Sequence, residues 1–424
     1  MIVATDTLIA CEAATPGARP LGVVVRPDEG IHTLVPLEGH SVHGTGTLLV
    51  SDDGASVNIY GVGQDSDMVR VLTTRGPGTQ GGALSASLDC RAYIRIGERW
   101  IRDELTIVPV QEQLYSRFGG LLETDVRREK RVLAVGLGSG GSPAVAHLVQ
   151  SGVMQFDLID PDRLEIGNIM RHVLGVSDVG RFKTKAMAEF LRNKNPCALV
   201  RTWEQPIGWD SIDLLRSLVK ESDVVLGGTD NRLSKVILNR ICVEESKTLI
   251  LGTAFRRAYG GQVLRIRPGK SLCYQCFLQT VPEQAKDQEI ASAEQAERIA
   301  YSDRPVPVEP GLSLDIAPLS HMVAKLALME LLRGTQTTLA SLYEDFVAPL
   351  YIWTNRREPD TDYAQMEPLG FDIDGMHVMR WYGAAIPRNP GCPVCGDFIA
   401  ELSREHHVAA SSEDLQFFGA SSVG

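Results

Sequence analysis

The stretch Val135-Gly136-Leu137-Gly138-Ser139-Gly140-Gly141-Ser142 decides the fold, because it joins an apolar strand-like segment to a helix-like one. Gly136, Gly138 and Gly141 have the G-x-G-x-x-G spacing. That spacing lets a backbone turn tightly, approach a phosphate or ribose, and open a helix whose N–H groups face an anion. A tight turn that binds no ligand is the alternative interpretation of so short a motif.

A carboxylate follows at the distance that a nucleotide site requires. Asp160 ends the next apolar segment, roughly twenty residues on, where a carboxylate can accept hydrogen bonds from both ribose hydroxyls. The segment after it adds an amide and two cations at Asn168, Arg171 and Lys183. A triphosphate would need its charge neutralised there, and a solvated, salt-bridged loop is the alternative interpretation of these three residues.

A further acidic group, Asp230, lies within the sequence Gly227-Gly228-Thr229-Asp230-Asn231. Its position at the carboxyl end of an apolar segment is where doubly wound sheets hold their ligands. Carboxylates are ligands that magnesium prefers, so we expect Asp230 to hold Mg²⁺ on the phosphates.

Short apolar segments alternate with helix-like ones after residue 130, which predicts an α/β fold with a doubly wound, mostly parallel sheet. Strands are predicted at 132–136, 156–160, 199–203, 224–227 and 249–251, and helices at 142–151, 183–193, 212–220 and 232–245. Residues 1–109 hold short β-prone runs and predict a small β-rich domain of unknown role. The main domain is placed at 110–400, with a crossover segment at 278–318, and a flexible tail at 401–424.

Four of the eight cysteines form two Cys-x-x-Cys pairs, Cys273 with Cys276 and Cys392 with Cys395. Each pair can place two thiolates on one side of a tetrahedral ion, so together they predict a structural Zn²⁺ site. A redox dithiol is the alternative. A closed shell of four thiolates leaves no open position on the metal, which assigns this zinc to stability.

The charge and composition exclude some partners. The 424 residues carry a formal charge of −11, which disfavours nucleic acid and anionic membrane surfaces. The first twenty residues do not resemble a secretory signal, so a cytoplasmic location is expected.

These motifs resemble the adenylation domain shared by ubiquitin-activating enzymes and the bacterial ThiF and MoeB proteins. The resemblance covers about two thirds of the chain and rests on the glycine loop, D-x-D…N-x-x-R from Asp160 to Arg171, G-x-x-K at 180–183, T-D-N at 229–231, and the cysteine pairs. It implies a Rossmann-like domain that binds ATP and Mg²⁺. The implied nucleotide residues are Gly136, Gly138, Gly141, Asp160, Asp162, Asn168, Arg171, Lys183, Asp230 and Asn231, and Asp230 also faces the reacting carboxylate.

The resemblance further implies a homodimer in which Arg117 reaches the partner's site; Arg117, Arg171, Lys183 and Asp230 would then be catalytic. The G-x-G-S-x-G-S wording and the pair Arg171-His172 are most similar to activating enzymes of bacterial ubiquitin-like conjugation operons, some of them antiviral. The implied reaction is ATP-dependent adenylation of the C-terminal carboxylate of a ubiquitin-like protein that ends in glycine, followed by handover to a conjugating enzyme.

The crossover segment departs from the ubiquitin-type pattern, because it contains no cysteine. We therefore expect no thioester on this segment. Three alternatives stay open at this point: activation of a sulfur-carrier protein or a peptide precursor, a catalytically inactive scaffold subunit, and a nicotinamide dehydrogenase. The dehydrogenase leaves Arg171, Lys183 and the cysteine pairs unexplained.

Overall fold

The computed structural model describes residues 114–122, 129–195, 197–280, 311–370 and 375–397 in full. Before residue 114 it describes the backbone of ten strands. The chain divides into two compact units, residues 1–119 and 120–424.

The strands of the first unit form two sheets. Their bounds are β1 Ile2–Ala4, β2 Leu21–Val24, β3 Thr33–Leu34, β4 Pro36–Leu37, β5 Thr45–Val50, β6 Ser56–Gly61, β7 Val69–Thr74, β8 Asp89–Ile96, β9 Arg99–Asp103 and β10 Thr106–Val108. One sheet has the order β10-β1-β3 with parallel pairing, and the other the antiparallel order β4-β2-β5-β6-β7-β8-β9.

The second unit is built on one sheet of eight described strands. They are β11 Arg131–Val135, β12 Gln155–Ile159, β13 Leu199–Trp203, β14 Val224–Gly227, β15 Thr248–Ala254, β16 Gly260–Ile266, β17 Leu350–Thr354 and β18 Arg380–Ala384. The order is β13-β12-β11-β14-β15-β16-β17-β18. The pairs from β13 to β15 are parallel, and those from β15 to β18 are antiparallel.

Helices cover both faces of this sheet. Their bounds are α1 Gly141–Gln150, α2 Lys183–Lys194, α3 Ile212–Glu221, α4 Arg232–Glu244, α5 Tyr274–Thr280, α6 Ser313–Leu331 and α7 Leu342–Asp345. Alternation along β11 divides the core, because successive side chains of a strand point to opposite faces. Val132 and Ala134 pack with α1, α2 and α6, whereas Leu133 and Val135 pack with α3, α4 and α5. The prediction of a doubly wound, mostly parallel α/β fold is confirmed.

Two features of this sheet differ from the sequence-based expectation. The antiparallel strands β16, β17 and β18 were not predicted, and β15 continues past Gly252 to Ala254. Helix α6 begins at Ser313 and includes Pro318, so residues 313–318 of the predicted crossover segment 278–318 are helical. None of the helices in the described part of the chain has the length and apolar character of a bilayer span.

The order of the sheet reverses at β11, which lies between β12 and β14. The Gly136 N–H donates to the Ile159 carbonyl at 2.8 Å, and the Gly228 N–H donates to the Val135 carbonyl at 2.8 Å. These bonds hold together the turns that leave the three strands. In doubly wound sheets a ligand crevice opens at such a reversal, outside the carboxyl ends of the strands.

Candidate functional site

The glycine loop after β11 needs two of its glycines for internal packing. Gly136 has a φ of +89°, and a Cβ there would lie 2.8 Å from the Gly228 carbonyl carbon. A Cβ on Gly141 would lie 2.0 Å from the Gly136 carbonyl oxygen. A Cβ on Gly138 would meet no described atom within 4 Å. The loop therefore presents open backbone at Gly138, where a ligand can approach closely.

A cleft with a volume of about 530 Å³ opens beside this loop. That size suits a small-molecule site. Nine of the ten predicted nucleotide-binding residues line it: Gly136, Gly138, Asp160, Asp162, Asn168, Arg171, Lys183, Asp230 and Asn231. Gly141 lines an adjoining apolar hollow on the other side of the loop. The structure thus brings the predicted set together, while the role of each residue stays a prediction.

Asp160 is fixed at the end of β12 and almost completely buried. Its Oδ2 accepts the Leu137 N–H at 2.6 Å, and its Oδ1 accepts the Asp162 N–H at 2.9 Å. Burial raises the pKa of the carboxyl group, and the Leu137 N–H and the Lys183 charge oppose that shift. A carboxylate held by two backbone donors has accepting capacity left for a ligand hydroxyl.

Lys183 supplies a buried cation on the same side of the cleft. It is the first residue of α2 and is 8% exposed. Its Nζ lies 2.8 Å from Asp162 Oδ2 and 3.9 Å from Asp160 Oδ1. Because Asp162 is itself exposed, an anion that enters the cleft can take over part of this ammonium group's hydrogen bonding.

The polar residues on the other walls differ in how firmly they are held. Asn168 Oδ1 accepts the Glu165 N–H at 3.1 Å, which orients the amide in the 3₁₀ helix Ile166–Arg171. Asn231 is the N-cap of α4, and its Oδ1 accepts the Ser234 N–H at 2.8 Å. This cap gives Asn231 a structural role that the T-D-N motif did not reveal. Asp230, one residue earlier, is exposed to the cleft.

Several residues that line the cleft were not among the predicted site residues, namely Ser139, His172, Gln205, Pro206, Ile207 and Thr229. Residues 205–207 begin two positions after the end of β13 at Trp203. The carboxyl end of this parallel strand lies at the same edge of the sheet as the carboxyl ends of β11 and β12. The prediction of a parallel strand at 199–203 could therefore have indicated that the residues after it line the cleft.

Arg117 belongs to the first unit. It is exposed on the short 3₁₀ helix Ser116–Phe118. Its predicted reach into a partner's site stays a prediction.

The two cysteine pairs converge into one buried cluster. The sulfur atoms of Cys273 and Cys392 are 3.7 Å apart, those of Cys276 and Cys395 are 3.4 Å apart, and all four lie within 4.8 Å of one another. Four sulfurs at 2.3 Å from a tetrahedral ion are separated by about 3.8 Å. The cluster therefore fits a tetrahedral metal, and it ties α5 to the chain after β18.

The cysteines outside this cluster could act as a thiol nucleophile only if they are accessible and can ionise. Cys242 is fully buried, and burial raises the pKa of its thiol far above the ordinary value. Cys197 is partly exposed. The side chains of Cys11 and Cys90 lie outside the described residues.

We expect an alkylating reagent to leave Cys242 unmodified in the native protein, because a buried, protonated thiol does not react. Peptide mapping by mass spectrometry measures this, with Cys197 as the partly exposed reference and the denatured chain as the fully reactive control. Modification of Cys242 as rapid as that of Cys197 would contradict the assignment of Cys242 to the core.

Comparison with known proteins agrees with the site. The family model described as "ThiF family" matches residues 111–364. The adenylyltransferase and sulfurtransferase UBA4 of Lodderomyces elongisporus is 27% identical over 174 residues, which are 41% of this chain and 37% of that protein. The SAMP-activating enzyme E1 of Haloferax volcanii is 32% identical over 154 residues, which are 36% of this chain and 55% of that protein.

A third relative is the sulfur carrier protein ThiS adenylyltransferase of Escherichia coli, 31% identical over 151 residues, or 35% of this chain and 58% of that protein. The chain thus spans between 37% and 58% of the length of these relatives. Because the family model covers well over half of the sequence, and the fold and cleft agree with it, this chain belongs to the ThiF family.

Proposed function

We propose that this chain uses ATP to adenylate the C-terminal carboxylate of a ubiquitin-like protein. The observation that carries the proposal is the grouping of Asp160, Lys183 and Asp230 around one cleft, beside the open backbone at Gly138. Such a grouping combines a ribose acceptor, a phosphate cation and a carboxylate for a metal. The names of the relatives, which are adenylyltransferases and an activating enzyme, support the same reaction class.

Each wall of the cleft has a proposed role in that reaction. Asp160 accepts the ribose hydroxyls, while Asn168, Arg171 and Lys183 bind the phosphates. The donor carboxylate attacks the α-phosphorus, its oxygen forms the new P–O bond, and pyrophosphate leaves. The chain contributes alignment of the two reactants and neutralisation of the charge on the leaving group. Asp230 is the residue that would hold Mg²⁺, which supplies further charge neutralisation when bound.

The four-cysteine cluster has a separate role in this proposal. We assign it to Zn²⁺, because four buried sulfurs at these separations complete a tetrahedral shell. The cluster lies among apolar residues of the α4 and α5 face, and none of its four cysteines lines the cleft. Its metal stabilises the fold and takes no part in adenylation.

The donor and the acceptor complete the proposal. A donor that ends in glycine would pass from the adenylate to the cysteine of a conjugating enzyme, since residues 278–318 contain no cysteine. A sulfur-carrier protein is the second candidate donor, favoured by the similarity to the ThiS adenylyltransferase. An inactive scaffold subunit is disfavoured, because nine of the ten predicted nucleotide-binding residues line one cleft.

Pyrophosphate exchange tests the proposal. Labelled pyrophosphate should enter ATP only when Mg²⁺ and an acyl donor are both present, because exchange requires reversal of adenylate formation. The donors to compare are ubiquitin-like proteins that end in glycine, sulfur-carrier proteins and short synthetic peptides with a C-terminal carboxylate. Exchange with no donor present, or with none of these donors, would contradict the proposed reaction.

A mixing experiment tests the homodimer and Arg117 together. We expect Arg117→Ala and Lys183→Ala chains to be inactive alone and to regain about one quarter of the activity when mixed, because half of the random dimers are mixed and each has one intact site. The measurement is exchange activity after subunit exchange has been confirmed. Failure to complement would place Arg117 outside the partner's site.

A further inference from the structure

The ring of His172 makes two hydrogen bonds that join separate parts of the cleft. Its Nε2 lies 2.7 Å from the Leu137 carbonyl oxygen in the glycine loop. Its Nδ1 accepts the Leu174 N–H at 3.1 Å. A backbone N–H can only donate, so Nδ1 must be unprotonated and Nε2 must carry the hydrogen that Leu137 accepts. Both bonds therefore exist together only when the ring is neutral.

Leu137 is consequently held on both sides. Its N–H donates to Asp160 Oδ2, and its carbonyl accepts from His172. In a trans peptide the carbonyl and the next N–H point in opposite directions, so the bond to His172 also fixes the direction of the Gly138 N–H. No described residue accepts a hydrogen bond from that N–H, and a Cβ on Gly138 would face open space.

The peptide between Leu137 and Gly138 has an alternative orientation that would damage the site. Glycine reaches positive φ as readily as negative φ, so rotation of this peptide is not hindered by the residue that follows it. After such a rotation the Leu137 carbonyl would occupy the direction that the Gly138 N–H had. An anionic ligand would then meet a partial negative charge in place of a donor.

We propose that His172 is a positioning residue that holds the Leu137–Gly138 peptide in the orientation whose N–H can donate to an anionic oxygen of the nucleotide. This inference rests on the proposed function, because it presumes that the cleft binds a nucleotide. His172 acts through the backbone of the loop and not as a group that reacts.

The two hydrogen bonds of the His172 ring depend on pH. Burial lowers the pKa of His172; the Leu137 carbonyl and Asp178 oppose that shift, and Lys183 reinforces it. The ring is thus neutral at neutral pH. On acidification Nδ1 takes up a proton and loses the Leu174 N–H. Because the pKa is lowered, binding of the nucleotide should weaken only as the pH falls below the ordinary range of histidine. Simple attraction between a protonated ring and a phosphate predicts the opposite direction.

Two substitutions separate positioning from packing. Glutamine at position 172 can donate from its NH₂ group to Leu137 and accept from Leu174 through its oxygen, without a proton that titrates in this range. His172→Gln should bind a non-hydrolysable ATP analogue with wild-type affinity at neutral pH and lose the weakening on acidification. His172→Ala should raise the dissociation constant about tenfold.

Calorimetric titration of the ATP analogue with magnesium, from about pH 8 to pH 5, makes the measurement. His147→Gln, an exposed histidine on α1, is the matched control and should keep the wild-type pH profile. Burial raises the pKa of Asp160, so protonation of Asp160 should also weaken nucleotide binding at acidic pH. Asp160 is present in both the wild type and His172→Gln, so its effect is the same in both. The difference between the pH profile of the wild type and that of His172→Gln therefore gives the contribution of His172 alone.

Three results would overturn the inference: unchanged affinity in a folded His172→Ala protein, an acid profile in His172→Gln equal to the wild-type one, or tighter binding by the wild type on acidification. Should His172→Ala not fold, His172→Gln decides alone. A wild-type protein that binds no nucleotide would instead contradict the proposed function, so the two failures are distinguishable.

Discussion

Replacement of Lys183 by alanine lowers donor-dependent pyrophosphate exchange by about two to three orders of magnitude, because a preorganised buried charge of this kind typically carries several kcal/mol of transition-state stabilisation. The Lys183 ammonium group is buried, and it lies 3.9 Å from Asp160 Oδ1 and 2.8 Å from Asp162 Oδ2. Removing it leaves two carboxylates facing the phosphates of ATP. Exchange kinetics at saturating ATP and donor measure the effect.

Lys185→Ala is the matched control for this experiment. Lys185 is on the same helix, but it is exposed and bonds to Thr202 and Glu204 outside the cleft. Its loss should leave exchange unchanged. Equal melting temperatures of the two variants would show that the fold is intact. Exchange by Lys183→Ala within a few-fold of the wild type would contradict the phosphate role of this residue.

Replacement of Cys392 by serine is expected to remove the bound metal and to lower the melting temperature of the second unit by about 10 °C or more, because metal-binding energy in a structural site is also folding energy. The Cys392 thiol is buried 3.7 Å from that of Cys273, although 118 residues lie between them along the chain. Loss of one ligand therefore releases the connection between α5 and the chain after β18. Elemental analysis and calorimetry measure the two effects.

Cys197→Ser provides the comparison, since Cys197 lies outside the four-cysteine cluster and is partly exposed. It should keep one zinc per chain and a melting temperature close to the wild-type value. Freshly purified wild-type protein without zinc, or a Cys392→Ser protein as stable as the wild type, would reject the proposed metal site.

The parallel part of the sheet could be predicted from sequence because each strand is a short apolar run bounded by turn residues. The observed β11, β12, β13 and β14 agree with the predicted ranges to within one residue at each end. Strands β11, β12 and β14 are buried between the helices on the two faces of the sheet, whereas β13, at the edge of the sheet, is partly exposed. Such burial produces the alternation of apolar runs and amphipathic segments on which the prediction depended.

The antiparallel strands β16, β17 and β18 were not predicted, because residues in β16 are buried only through contacts with distant parts of the chain. Strand β16 contains Gly261 and Arg265, which are typical of turns and surfaces. A Cβ on Gly261 would lie 2.4 Å from a methyl carbon of Leu319, so glycine is required for α6 to pack there. Arg265 is buried because Glu330 and the carbonyls of Phe346 and Ala348 satisfy it. These partners are 65 or more residues away.

The sequence predicted which residues line the cleft, but it did not predict the hydrogen bonds among them. Motif spacing found the residues that line it, because each motif ends a strand at the same sheet edge. The N-cap role of Asn231 and the bond between His172 and Leu137 depend on local geometry that spacing does not encode. Lys183 was found as a cation, but its position between two carboxylates required the structure.

The fate of one oxygen atom tests adenylation most directly. A donor that supports exchange is prepared with heavy oxygen in its C-terminal carboxylate and incubated with the protein, ATP and Mg²⁺, and the adenylate is then cleaved with a thiol. Attack by the carboxylate on the α-phosphorus places one labelled oxygen in the released AMP, so mass spectrometry should find labelled AMP and unlabelled pyrophosphate. Unlabelled AMP, or ADP as the nucleotide product, would contradict the proposal that this cleft makes an acyl adenylate.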